Sequence, residues 1–353
     1  VAIVAQQPLV NAARDARRAQ LRLGADMGDT AWRSAQTELM LRTAERYLAL
    51  ALAEERVRVL GRQLRALEQA RDEAHDRYRL GSSPITDTHE ADAALAGARA
   101  QQAAALLDAD ARRRALVDST GVAGLTARLP AQPLAPVPDA PGWEQAAQAD
   151  NPRLRLLTEA VAVAEQKLRQ QGAAGRATVD LVAQASLDRI AGHGDFGSAR
   201  NRNLNAMVGV QLNIPIDASG LIGAQEREAA ERLGKARAEL DLAREEVGQQ
   251  TRNAWQGLQT GQARIAALQQ AQTASRARLD ATRLGREVGD RTLLDMLNAE
   301  NDHAQAVLAL AQARSDQALT RLQLAALADR LDEEVLAQVN ATLAAPAFRE
   351  FSP

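Results

Sequence analysis

Cysteine does not occur among the 353 residues, which excludes disulfides and thiolate metal sites. Aromatic residues make up only 2%, so the 46% apolar content is mostly Ala, Leu and Val. Such small side chains suit close helix-to-helix contact better than a thick compact core. A charge excess is missing too: 43 basic residues face 45 acidic ones, for a formal charge of −2. No strong field follows, and nucleic acid is not an expected partner. No run approaches the roughly 18 apolar residues of a transmembrane helix. The opening "VAIVAQQPLV" lacks the charged start and cleavage site of a signal peptide, which is uninformative if the chain begins inside a longer protein.

Proline is equally scarce across two long stretches. From about residue 222 to 288, the residues Ala229, Leu233, Ala236, Leu240, Ala243, Val247, Thr251, Ala254, Leu258, Gly261, Ile265 and Leu268 follow alternating steps of four and three. That is the period of a supercoiled helix. At 1.5 Å per residue such a helix is about 100 Å long, too long for the interior of a compact domain. Residues 12 to 80 form a second proline-free stretch, and shorter helical stretches follow at about 86 to 118 and 292 to 330. The spacing predicts two long helical hairpins turning at Gly81 and Gly289, each a candidate antiparallel coiled coil, because glycine takes the left-handed conformation that ends a helix.

Between them "RLPAQPLAPVPDAPGW" (128 to 143) holds five of the eleven prolines, which predicts a connector without regular helix. A helix over about 151 to 171 comes next, and then the period changes. Val179, Leu181, Ala183, Ala185 and Leu187 alternate with mostly polar residues, as do Leu204, Ala206, Val208, Val210, Leu212 and Ile214. These are two expected strands of about ten residues joined by the polar, Gly-rich "GHGDFGSARNRN", read as a mobile loop. The alternation fits a hairpin on a soluble core, and it equally fits a membrane barrel hairpin with lipid on one side and water on the other.

The chain repeats itself. Tyr47 and Trp255, Gly81 and Gly289, and Asp87 and Asp295 stand 208 positions apart, and Pro8 and Pro215 stand 207 apart. A constant offset implies duplication of a strand, long helix, turn and helix unit. It also makes "VAIVA" the end of a strand whose partner strand and preceding helix would lie upstream.

"VGVQLNIPI" leading into a long helix, "RYRLGSSPITD" and "EVGDRTLLDMLNAEND" together resemble the TolC family of outer-membrane efflux and secretion channels. The resemblance covers nearly the whole chain, lacking the N-terminal helix and one strand. It implies a mainly α fold with a membrane β-barrel part: a homotrimeric α/β-barrel channel-tunnel, with long coiled-coil helical hairpins and four strands per protomer, one of them absent from this chain. On that reading residues 1–9 and 174–217 supply outer-membrane strands. Residues 10–127 and 218–330 are the hairpins of a periplasmic α-barrel, joined in it by the helix 153–173. Residues 128–152 and 331–353 form equatorial segments.

The resemblance also assigns the tips. Asp87 and Arg291 match gate-locking positions, with Thr86 beside them, while Arg286 replaces a family tyrosine and could itself reach Asp87 or a backbone carbonyl. Asp295 matches the acidic constriction but the next carboxylate position is Asn298, leaving three carboxylates per trimer instead of six and hence weaker cation preference. Leu80, Gly81, Ser82, Val288, Gly289 and Asp290 match the adaptor-docking turn. Against these readings stands an ordinary one, in which Thr86, Asp87, Thr292 and Asp295 cap helices or favour their dipoles and both turns merely end helices.

The four histidines form no ligand constellation, and His89 with Glu90 and Asp92 reads as a solvated face rather than a metal site. No metal or cofactor is expected. Gly192, Gly194 and Gly197 make no phosphate loop, and Tyr47 and Trp255 read as packing residues. The implied function is a passive exit duct without catalysis, recruited by a periplasmic adaptor and an inner-membrane transporter of ABC type, and resting in outer-membrane lipid. Type I protein secretion and small-molecule efflux are both open as cargo, with secretion favoured by the Ala- and Arg-rich character. A soluble coiled-coil scaffold is the remaining alternative.

Overall fold

The structure, a computed structural model, describes residues 2–131, 134, 137, 140–194, 197–216 and 220–343. The end of the expected C-terminal equatorial segment (344–353), parts of the proline-rich connector and residues 217–219 lie outside the described residues. Described are three strands and seven helices: β1 (Ala2–Val10), α1 (Ala12–Arg79), α2 (Ile85–Thr120), α3 (Ala140–Asp150), α4 (Pro152–Ala173), β2 (Thr178–Gly194), β3 (Gly197–Asn213), α5 (Leu221–Glu287), α6 (Leu293–Leu327) and α7 (Glu333–Ala341). The chain divides into two units, Val1–Arg33 with Pro152–Glu245, and Ser34–Asn151 with Glu246–Pro353.

The internal duplication is visible in element lengths. The helices α1 and α5 have 68 and 67 residues, and α2 and α6 have 36 and 35. All twelve positions of the supercoil pattern from Ala229 to Leu268 are buried or half-buried. The reason is geometric: a seam repeating every 3.5 residues keeps facing a neighbour along the whole helix. No described helix is long and apolar enough to cross a membrane.

In the first unit the strands form one antiparallel sheet in the order β1-β2-β3. Both β2 and β3 run 17 residues, and their ladder continues to Gly194 opposite Gly197. The expected ten-residue strands with a polar loop are therefore corrected. The stretch from Gly192 to Asn203 is paired strand apart from Asp195 and Phe196, which lie outside the described residues. Polar side chains ended the hydrophobic alternation, but they do not end backbone pairing, which needs only N–H and C=O groups. On one face the cross-strand pairs are Val179/Leu212, Leu181/Val210, Ala183/Val208, Ala185/Ala206 and Leu187/Leu204. That face is open: Leu204, Val208, Val210 and Leu212 are each at least 60% exposed.

In the second unit, buried Leu48, Ala318, Leu322 and Ala325 join α1 to α6, with Leu331 and Val339 closing the cluster. A neighbouring cluster joins Leu50, Ala51, Leu116, Ala127, Leu129 and Ala311. The connector brings Pro130 into a β-bridge with Leu343. It is not free of helix throughout: α3 already begins at Ala140, with Pro141 in its first turn. An N-terminal turn tolerates proline because its amides have no intrahelical acceptor. Tyr47 packs against both clusters, its hydroxyl accepting from the Arg128 amide at 3.2 Å, and Trp255 packs against a third cluster of Val137, Leu258 and Leu324.

Candidate functional site: the hairpin tips

The first tip closes α1 through Leu80, Gly81 and Ser82. Gly81 has φ of 70°, its amide donates to the Tyr78 carbonyl at 2.9 Å, and the Ser82 amide donates to the Arg77 carbonyl at 2.9 Å. This pair of bonds is the Schellman closure, which satisfies carbonyls left over at a helix end and requires a left-handed residue. The following helix starts after Pro84, whose side chain makes no cap. Thr86 is exposed, and Asp87 lies in the first turn with its amide donating to the Pro84 carbonyl at 3.2 Å. The carboxylate favours the helix dipole from there but does not cap the helix.

The second tip repeats the closure. Gly289 has φ of 85°, its amide donates to the Arg286 carbonyl at 3.2 Å, and the Asp290 amide donates to the Gly285 carbonyl at 2.8 Å. The start of α6, however, is fully capped. The Thr292 hydroxyl accepts from the Asp295 amide and the Asp295 carboxylate accepts from the Thr292 amide, each at 3.1 Å. This is a capping box, two orphan donors satisfied reciprocally. Hydrogen bonds from the Thr292 backbone and side chain, with the cations of Arg291 and Arg278 adding to them, hold the Asp295 carboxyl below its ordinary range. Asn298, one turn on, is exposed.

Arg286 reaches neither Asp87 nor a backbone carbonyl, which corrects the expectation for it. It is buried, 7% exposed, and its Nη1 donates to Glu73 Oε2 at 3.1 Å and to the Met296 sulfur at 3.4 Å. The last turn of α5 carries it toward α1, so the nearest carboxylate is on that helix. Glu73 is shared, its other oxygen holding Arg77 at 2.8 Å. A cavity of about 520 Å³ lies alongside, lined among others by Glu73, Arg77, Arg283, Arg286 and Glu300. Arg283 in turn bonds Glu300 across the second hairpin at 2.8 Å.

No ion pair joins Asp87 to Arg291 within the chain, and neither forms one with another described residue. Arg291 is instead held by its stem. A side chain at Gly285 would meet Arg291 Cγ at 2.8 Å, and the Arg291 amide donates to the Gly285 carbonyl at 3.2 Å. Glu73, Gly285 and Met296 thus belong to the site and escaped sequence reasoning. Glu73 is separated from Arg286 by 213 positions, and no local signal connects them.

Below the tips Leu67, Ala70, Ala74, Ala91, Leu95, Ala98, Leu293 and Leu297 form one core that joins both hairpins. The tips themselves leave apolar groups in water: Leu80 is 82% exposed and Val288 68%. Exposed apolar groups repeated at two adjacent turns suit contact with another protein. The carboxylates around His89 do not converge, and no group of metal-ligating residues was found among the described residues. His75, rather than His89, is the histidine near Asp92, at 3.2 Å.

An amphipathic antiparallel sheet, long coiled-coil hairpins and a duplicated tip are the elements of the channel-tunnel fold. The chain belongs to the outer membrane efflux protein family, whose model matches residues 143–329, more than half of its length. That membership places it in the outer membrane. It is 34% identical over 269 residues to the outer membrane efflux protein BepC of Brucella suis, covering 75% of this chain and 56% of BepC. It is 29% identical over 346 residues to the alkaline protease secretion protein AprF of Pseudomonas aeruginosa, covering 95% of this chain and 70% of AprF. Among solved structures, the Campylobacter jejuni CmeC outer membrane channel shares the fold with a TM-score of 0.81 over 97% of this chain and 73% of that one, at 13% identity. The chain thus spans little more than half of one relative and about two thirds of the others. The family and the structural neighbours are channel proteins, and no enzyme family is indicated.

Proposed function

We propose that the protein is the outer-membrane exit duct of a tripartite export system, a passive homotrimeric channel serving type I protein secretion without catalysis. The observation that carries this reading is the sheet of the first unit. Its apolar face is open, and among the described residues β1 and β3 each present an edge without a partner. In a bilayer every backbone group must be satisfied, so such edges are tolerable only when further strands, those of other copies included, close the barrel. A closed sheet with apolar residues outside and Asp180, Gln184 and Ser186 inside is a water-filled passage. Secretion is favoured over small-molecule efflux because AprF, named for protease secretion, aligns with 95% of the chain. The kinship with BepC keeps efflux as the second reading.

In this duct residues 10–127, 153–173 and 218–330 supply the periplasmic tube, residues 128–152 and 331–353 its equatorial belt, and the tips its entrance. Asp87 of one hairpin pairs with Arg291 of a neighbouring one. A pair at a wet entrance contributes about 0–1 kcal/mol, which suits a latch that must release. Asp295 faces the passage while it also caps α6. Leu80, Gly81, Ser82, Val288, Gly289 and Asp290 receive the adaptor, and an inner-membrane transporter, of ABC type for secretion, provides the energy. Planar-bilayer conductance of the detergent-purified protein tests the proposal. Wild type should form low-conductance pores, and Asp87→Ala and Arg291→Ser should raise their conductance several-fold. Absence of pores in every variant would sink the duct, whereas unchanged conductance in the two mutants would sink only the latch.

A further inference from the structure

Above the last apolar pair of the sheet, Leu187/Leu204, the same face changes character. The next cross-strand pair is Arg189 opposite Arg202, and the one beyond it is Ala191 opposite Arg200. Three arginines therefore continue the apolar face without a break, at the end of the hairpin far from α4 and α5. All three are exposed. Like charges directly opposite one another oppose strand pairing. The nearest acidic residue in the ladder, Asp188 opposite Asn203, is on the other face, and Asp195 lies outside the described residues. Among the described residues no ion pair or hydrogen bond reaches any of the three guanidinium groups. Among the described residues the ladder thus holds two arginines side by side with no anion on that face.

From Val179 to Leu187 the apolar face runs about 27 Å along the strand at ~3.4 Å per residue. With the usual tilt of a barrel strand, that matches the apolar band of an outer-membrane barrel. The arginines then fall where hydrocarbon gives way to headgroups, facing outward. A planar guanidinium binds phosphate through two parallel hydrogen bonds, and three of them on adjoining pairs supply enough donors and charge for a multiply charged group.

We propose that Arg189, Arg200 and Arg202 form a binding site for the phosphorylated headgroup of a membrane lipid in the leaflet that the hairpin end meets. The inference rests on the reading of the sheet as a membrane barrel. Phosphate removes the repulsion between Arg189 and Arg202, so the bound lipid also stabilises the far end of the hairpin. Basic groups gathered at a membrane surface attract anionic lipid through the same electrostatics.

The test uses protein purified from membranes, with native mass spectrometry in the presence of diphosphoryl lipid A or phosphatidylcholine. Wild type should retain the diphosphoryl lipid in preference to phosphatidylcholine. The variant carrying Arg189→Gln, Arg200→Gln and Arg202→Gln should retain it at least ten-fold less, and the corresponding triple lysine variant should keep most of the binding. Equal retention by wild type and the glutamine variant would overturn the site. Displacement of the lipid by inorganic phosphate at equal concentration would overturn its assignment to a lipid. Flotation of each protein with phosphatidylcholine vesicles separates the two layers of argument. A wild type that fails to float removes the membrane reading and the site together, whereas proteins that float alike but bind lipid A alike remove the site alone.

Discussion

The two hairpin tips descend from one sequence unit, end their first helices with the same bonds, and are anchored differently. In both, a left-handed glycine, Gly81 or Gly289, lets an amide reach five residues back to close the helix. Beyond the glycine they part. The helix α2 starts on Pro84 with no side-chain cap, and Asp87 has no ion-pair partner among the described residues. The helix α6 starts on a capping box made by Thr292 and Asp295, and its tip is bolted to α1 through buried Arg286. Two copies of one turn have thus kept the geometry that a helix end requires and diverged in the groups that bind it to neighbours. In the duct proposed above, a loosely held tip beside a pinned one suits a moving entrance.

The largest effect should come from removing the bolt. Glu73→Ala leaves the Arg286 guanidinium without its carboxylate in a buried setting, at a cost of about 1–3 kcal/mol. Hydrogen exchange over residues 282–291 should quicken accordingly, while exchange over residues 77–87 changes less. Glu73→Leu combined with Arg286→Leu should recover much of the loss, because an apolar pair leaves no stranded charge.

Gly285→Ala should follow, with about 1–3 kcal/mol from forcing Cβ against the Arg291 stem. Arg77→Ala, 208 positions earlier, places no atom in that space and should leave the first turn intact by the same exchange measurement. If both substitutions disturb their tips equally, the claimed difference in anchoring is wrong.

At the shared feature the tips should respond alike. Gly81→Ala and Gly289→Ala should each cost about 1–2 kcal/mol, since a left-handed backbone is strained for any residue with a Cβ and nothing else crowds either position. Thr292→Ala should cost about 1 kcal/mol through the lost cap, read as faster exchange in the first turn of α6.

The smallest effect concerns pH. The Asp295 carboxyl titrates below its ordinary 3.8 in the folded chain. Its contribution is therefore fully present above about pH 4 and is lost as pH falls through the depressed value. Protection in the first turn of α6 should weaken over that acid range in wild type, and Asp295→Asn should abolish this part of the pH dependence.

The extent to which these features could be read in advance differs by kind. Helix spans were legible because propensity, proline and a 3.5-residue period act locally: residues 12 to 80 and 222 to 288 differ by a residue or so from α1 and α5. The turns at Gly81 and Gly289 were legible for the same reason. The upper halves of β2 and β3 were not, because hydrophobic alternation stops at Leu187 and Leu204 while hydrogen bonding between backbones continues. The site was legible only in part. Asp87, Arg291 and Asp295 are assigned to it only by resemblance to a family, and Arg286, for which Asp87 or a backbone carbonyl was in reach, is bound to Glu73.

The sequence by itself determined the duplication, the two helical hairpins, the left-handed glycines that end them and the alternating strands, since each depends on residues within a few positions of one another. Tertiary structure alone decided that Glu73 meets Arg286 across 213 positions, that Arg291 lies on Gly285, and that Arg189 stands opposite Arg202. Such pairings depend on helix rotation and strand register. A shift of one residue moves a side chain to another face, and no local pattern records which register packing selects.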